Sequence, residues 1–212
     1  MIQLVHPFEW LSHNAQKRAF IALAILTVVL MASLQILGMP LITKSAPYGI
    51  VSFEFAGDQI QAQKIVESWK LKDQVYAGKG QVYAGKDQVY AGKGQVYAGL
   101  NLGLDYLFLV IYSSCIGLGC VLISQKFVNQ TGFLFSTGIC LAWGQVVAAL
   151  LDSVENYALI QVVLGSMKEF WPVMALWCAS LKFILIALGI VYLVAGWFLC
   201  RFQGFNSHYQ NR

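Results

Sequence analysis

From Ala19 to Leu37 the chain carries no charged side chain. As a helix rising ~1.5 Å per residue, this stretch reaches ~28 Å, close to the hydrocarbon thickness of a bilayer. Lipid offers no hydrogen-bond partner to a peptide group, so a crossing segment has to bond to itself, as a helix does. Three further stretches have the same character. One covers 101–123, with its apolar run starting at about Tyr106. A second covers 132–164, apolar from Phe133 to at least Leu151. The last covers 170–200 and ends at Cys200, just before Arg201, with Pro172 placed to open a helix. The predicted fold is all-α, a four-transmembrane-helix bundle. Composition agrees: 11% of residues are charged, whereas a soluble domain carries about 25%.

The first span is too long for a signal-peptide core, and Pro47 follows the nearest small-residue site at Ser45-Ala46. It reads as an uncleaved anchor. Lys17 and Arg18 precede it, Lys126 lies in the second loop, and Arg201 and Arg212 lie in the tail, whereas the third loop has only Lys168. The positive-inside rule then puts both termini in the cytoplasm, in a bacterial inner membrane. The net charge of +4 is dispersed, with no basic patch interleaved with aromatics, so nucleic acid is not an expected partner. The expected partners are the lipid bilayer and a further copy or a different subunit. Cys115, Cys120, Cys140, Cys178 and Cys200 all sit in apolar sequence without metal-ligand spacing. No cofactor is implied.

The loop between the first two spans has two parts. Residues 39–72 read as a folded extramembrane element. Ile50-Val-Ser-Phe-Glu-Phe55 alternates as a half-buried strand would. Asp58 with Gln61 three residues on fits a capping box, and an amphipathic helix of about three turns follows through Trp69. Phe53, Phe55, Ile65 and Trp69 are candidates for a lid over the helix ends; the competing reading is a helix lying on the membrane surface. Residues 73–99 hold four near-identical heptads built on Gln-Val-Tyr-Ala-Gly. A glycine in each heptad costs a helix about 1 kcal/mol, and an odd period flips a strand's faces. The segment reads as a tandem insertion tolerated in an exterior loop, and removing Asp73–Lys93 is expected to leave folding intact.

The spans also carry polar residues that lipid disfavours. With alternating helix directions, Gln35, Asp105, Asp152, Glu155, Asn156 and Lys182 fall at one height, towards the first loop. Gln145, Asp152, Glu155 and Asn156 are spaced by seven, three and four, which keeps them on one helical face. Asp105 and Tyr112 align in the same way. Three acids against one base leave an excess of negative charge, which would be relieved by a raised carboxyl pKa or by a bound hard cation such as magnesium or calcium. Alternatively these residues mark the membrane–water boundary and are solvated.

Together, Ile50-Val-Ser-Phe-Glu-Phe-Ala-Gly57, Ala62, Trp69, Leu104-Asp-Tyr-Leu-Phe108 and Leu150-Leu-Asp-Ser-Val-Glu-Asn156 resemble segments of a group of small uncharacterised four-helix membrane proteins of bacteria, including cyanobacteria. The resemblance covers about Ala19 to Leu199 apart from the repeats. It implies the architecture and carries no activity with it.

Three functions are therefore open. The polar layer organises the bundle or a partner interface. Or Asp105, Asp152 and Glu155 form a proton or cation path, or part of a small-solute transport component, although four spans without an inverted repeat make a poor autonomous transporter. Or carboxylates hold a metal in a membrane enzyme, although no HExxH or GxSxG motif is present and His6, His13 and His208 are terminal. The first is the preferred expectation, and the enzyme the least favoured.

Overall fold

The computed structural model describes residues 5–77, 93–127 and 132–209, with side chains described at 5–70, 93–127 and 132–201. Among the described residues the fold is all-helical. Six helices follow one another: α1 His13–Gly38, α2 Ile50–Glu54, α3 Gln59–Ala77, α4 Lys93–Ser124, α5 Gly132–Val163 and α6 Phe170–Tyr209. Short 3-10 turns extend α1 through Leu41 and α4 through Phe127. Four helices, α1, α4, α5 and α6, are long and apolar enough to cross a membrane.

The expected strand at Ile50–Phe55 is instead the short helix α2. A lone strand leaves its peptide groups unsatisfied, and among the described residues there is no strand to pair with it. A helical turn closes those bonds locally. Gly49 and Gly57, at φ 60° and 73°, bracket the turn in the region that favours glycine. The hydroxyl oxygen of Ser52 accepts from the amide of Tyr48 at 2.9 Å, fixing the entry. The apparent alternation came from Val51, Phe53 and Phe55. Of these, only Phe53 is buried; Val51 and Phe55 are exposed.

α3 begins where the sequence places it. The Asp58 carboxylate accepts from the amide of Gln61 at 2.7 Å, half of the anticipated capping box. The helix runs longer than three turns and takes in Asp73–Ala77 of the first repeat. α4 in turn opens at Lys93 and takes in the last repeat, through Gly99. The two middle repeats lie outside the described residues.

The chain divides into two compact units. The first comprises Met1–Val28, Leu109–Leu150 and Leu181–Arg212. Its core gathers Cys120, Val121, Ile139, Ala142 and Tyr192, with the ring of Phe8 from the amino-terminal segment packed on it. The second comprises Val29–Phe108 and Leu151–Ser180. Its core joins Phe53 of α2, Ile65, Val66 and Trp69 of α3, Ala98 and Leu102 of α4, Leu159 and Val162 of α5, and Ala175 of α6.

Candidate functional site

The second unit holds the acidic run. Asp152, Glu155 and Asn156 lie on one face of α5 and are 2%, 0% and 1% exposed. Their spacing of three and four residues puts them over successive turns of that face. Asp105 of α4 faces this run: its carboxylate accepts a hydrogen bond from the Asn156 side-chain amide at 2.6 Å. One residue along α4, the Tyr106 hydroxyl donates to the backbone carbonyl of Ser153 at 3.1 Å. α4 thus grips α5 with two polar contacts from adjacent residues. None of Asp105, Asp152 and Glu155 is without an interaction partner.

The surrounding packing is assembled by residues of the first loop. Trp69 is fully buried, donates from its indole to the carbonyl of Leu41 at 2.8 Å and meets the Phe53 ring edge-on at 5.2 Å. Ile65 is also fully buried. At the end of α5, Gly165 adopts φ 93°. The amides of Gly165 and Ser166 then bond back to the carbonyls of Val162 and Gln161, a Schellman closure. The side-chain amide of Gln59, at the start of α3, donates to the carbonyl of Ser166 at 2.9 Å, and the Trp171 indole donates to the Ser166 hydroxyl at 3.0 Å. The first-loop helix is therefore tied to the α5–α6 turn by side-chain bonds as well as by apolar contact. Of the four lid candidates, Phe53, Ile65 and Trp69 lie in this core and Phe55 is exposed.

The remaining candidates of the expected polar layer divide between the two units. Gln35 is exposed; the polar bond to α1 comes instead from the buried Asn101, whose side-chain amide reaches the carbonyl of Leu34 at 2.9 Å. Tyr112, Gln145 and Lys182 belong to the first unit. All three are buried. The Gln145 side-chain amide donates to the carbonyl of Leu185 at 2.9 Å. Lys182 places its ammonium 5.0 Å from the centre of the Phe183 ring.

The first unit also holds a second polar set, one that sequence reasoning missed. Gln16, 3% exposed, donates to the carbonyls of Phe8 and Leu11 at 3.2 and 3.1 Å. Its oxygen accepts from the Gln125 side-chain amide at 3.1 Å, and the Gln125 oxygen stands 3.0 Å from Nδ1 of His13. The available signal was a glutamine just inside a helix that follows Ser12, but its partners are distant in sequence.

Among the described residues, no three His, Cys, Asp or Glu side chains are placed to hold a metal ion. The cavities beside α3, near Lys70 and Gly165, are lined by residues other than the carboxylates of the acidic run. No known family model, curated protein or solved structure matches the chain.

Proposed function

We infer that the protein is a non-enzymatic integral membrane protein whose acidic run fixes the mutual register of α4 and α5 and so the seat of the first-loop helices. The observation that carries this reading is the 2.6 Å bond from Asn156 to Asp105, reinforced one residue away by Tyr106 to Ser153. Buried polar groups are costly unless satisfied, and satisfied ones specify a single packing. A shaped, stable core of this kind suits a protein that presents a surface to a partner subunit or a second copy. The resemblance to the bacterial group, together with the basic flanks, favours the bacterial inner membrane with both termini in the cytoplasm.

A second reading is favoured by one observation: Asp152 and Glu155 are buried carboxylates within one helical turn, the arrangement intramembrane proton and cation paths use. The two readings separate in purified protein. Asp152→Asn and Glu155→Gln should each lower the unfolding free energy by roughly 1–3 kcal/mol, as loss of a buried polar contact does, without altering ion permeability of proteoliposomes. Unchanged thermal stability accompanied by loss of proton or cation flux would replace the structural reading with the second one.

A further inference from the structure

Two cavities in the first unit share a wall. One, of about 450 Å³, is lined by Phe20, Leu122, Ile123, Leu193, Val194 and Trp197 among other apolar residues, and no polar surface contributes. The other, of about 390 Å³, is lined by His13, Lys17, Gln125 and Lys126 together with the same Leu122 and Ile123. An apolar trough thus lies beside a basic one across Leu122 and Ile123. Both volumes fall within the ~300–1,000 Å³ span of small-molecule sites.

We propose that this composite groove holds one anionic phospholipid of the bilayer, an acyl chain in the apolar part and the phosphate between Lys17 and Lys126.

Three features support the assignment. The apolar part lies on helices long and apolar enough to cross the membrane, α1, α4 and α6, where the filling matter is hydrocarbon. The basic part falls where charged residues first appear at the ends of those helices, the level of lipid headgroups. Trp197 lines the trough there, with the guanidinium of Arg201 5.7 Å from its ring, a pairing common at the interface. And among the described residues neither cavity wall contains a carboxylate, so the field at the basic end is not cancelled. Basic pockets between membrane helices select anionic headgroups for this reason.

The position of the basic wall is fixed. Gln16 uses its amide hydrogens on the carbonyls of Phe8 and Leu11, so its oxygen must face Gln125. Gln125 then presents its own oxygen to His13, whose Nδ1 carries the proton. The chain of bonds ties the start of α1 to the end of α4, and so holds Lys17 and Lys126, one on each, at a set separation. Both lysines are themselves exposed and reach the groove without burying their charge.

The test uses the full-length protein in detergent, with dioleoylphosphatidylglycerol and dioleoylphosphatidylcholine offered in equal amounts and retained lipid counted by native mass spectrometry. Two lysines near a headgroup imply a preference for the anionic lipid of roughly tenfold. Lys17→Gln with Lys126→Gln should abolish that preference while phosphatidylcholine remains bound, and Lys17→Arg with Lys126→Arg should restore it. Val194→Trp, which fills the trough from an exposed position, should reduce retention of both lipids. Glycerol 3-phosphate in millimolar excess should displace neither. Equal retention of the two lipids by the unaltered protein, a preference that survives the double glutamine variant, or displacement by glycerol 3-phosphate would each overturn the proposal, the last by making a soluble phosphate the ligand.

Discussion

At His6, Nδ1 accepts a hydrogen bond from the amide of Phe8 at 3.1 Å, which requires that nitrogen to be unprotonated. Burial lowers the pKa of the ring, partly opposed by the nearby Glu9 carboxylate. The fold therefore favours neutral imidazole. Protonation is easier in the unfolded chain, so the contribution of His6 is complete above its ordinary pKa of about 6.5 and is lost as pH falls from there through the lower folded value. An NMR titration of the His6 ring should give a midpoint below that of a short peptide; a midpoint at or above it would contradict the geometry. The segment His6 belongs to is anchored further by the Trp143 indole, which donates to the carbonyl of Val5 at 3.0 Å.

At the scale of elements, α3 and α4 meet closely at one glycine. A Cβ at Gly94 would come within 2.7 Å of the Trp69 carbonyl oxygen and 2.9 Å of its Cβ, so only glycine fits without movement. In the repeats this position alternates between glycine and aspartate. Gly94→Asp should destabilise by about 1–3 kcal/mol, the usual cost of overpacking, measured by denaturation in detergent. Gly99, five residues along α4, has no neighbour within 4 Å of the place a Cβ would take. Gly99→Ala should therefore stabilise, by up to about 1 kcal/mol of helix propensity. Equal effects at the two sites would rule out the close approach at Trp69.

These elements also show what the sequence could reveal. The four long helices and the Asp58 cap were legible, because bilayer thickness and capping are local constraints. The α2 helix was not: over six residues, period two and a single helical turn can bury the same phenylalanine, and the absence of a pairing strand among the described residues is not a local property. Nor could spacing alone distinguish Gln35 from Asn101 as the polar partner across α1 and α4, since that depends on rotation of each helix about its own axis. The spacing of Asp152, Glu155 and Asn156 did put them on one face, and their burial follows the anomaly of acids set in apolar sequence. The bond to Asp105 required the register of two helices.

On the scale of the molecule, helix length is the governing quantity. α4 and α5, of 32 residues each, are about 48 Å long, and a bilayer core takes up ~30 Å. The surplus has to project, and projecting apolar helix needs cover. Within the second unit that cover comes from α2 and α3, whose buried residues share a core with parts of α4, α5 and α6. α1 behaves differently: among its residues only Gln16 and Leu30 are buried, and Ile21, Ile25, Val28 and Val29 are exposed, the pattern of a helix whose surroundings are mostly lipid. The cover is joined to α4 through the repeats. Duplicating Asp73–Lys86 in tandem adds one repeat pair and leaves the same residue types at the end of α3 and the start of α4. The unfolding free energy should change by less than about 1 kcal/mol, since doubling a loop alters closure by only ~0.6 kcal/mol. A large loss of stability would assign the middle repeats a place in the fold.

The use of repeat copies as helix ends has a consequence for inheritance. Because Asp73–Ala77 closes α3 and the copy ending at Gly99 opens α4, copying errors that add a repeat pair restore identical helix ends. Such variants would differ in the reach of the connection and in nothing the core can detect. A slip of one heptad between the last two copies is another matter. Loss of Gln88–Gly94, for example, leaves Asp87 directly before Gln95, and so puts aspartate where Gly94 meets Trp69. Heptads in this segment should therefore be exchanged among related chains only where the crossover keeps a glycine ahead of the last Gln-Val-Tyr-Ala-Gly copy, the position that meets Trp69.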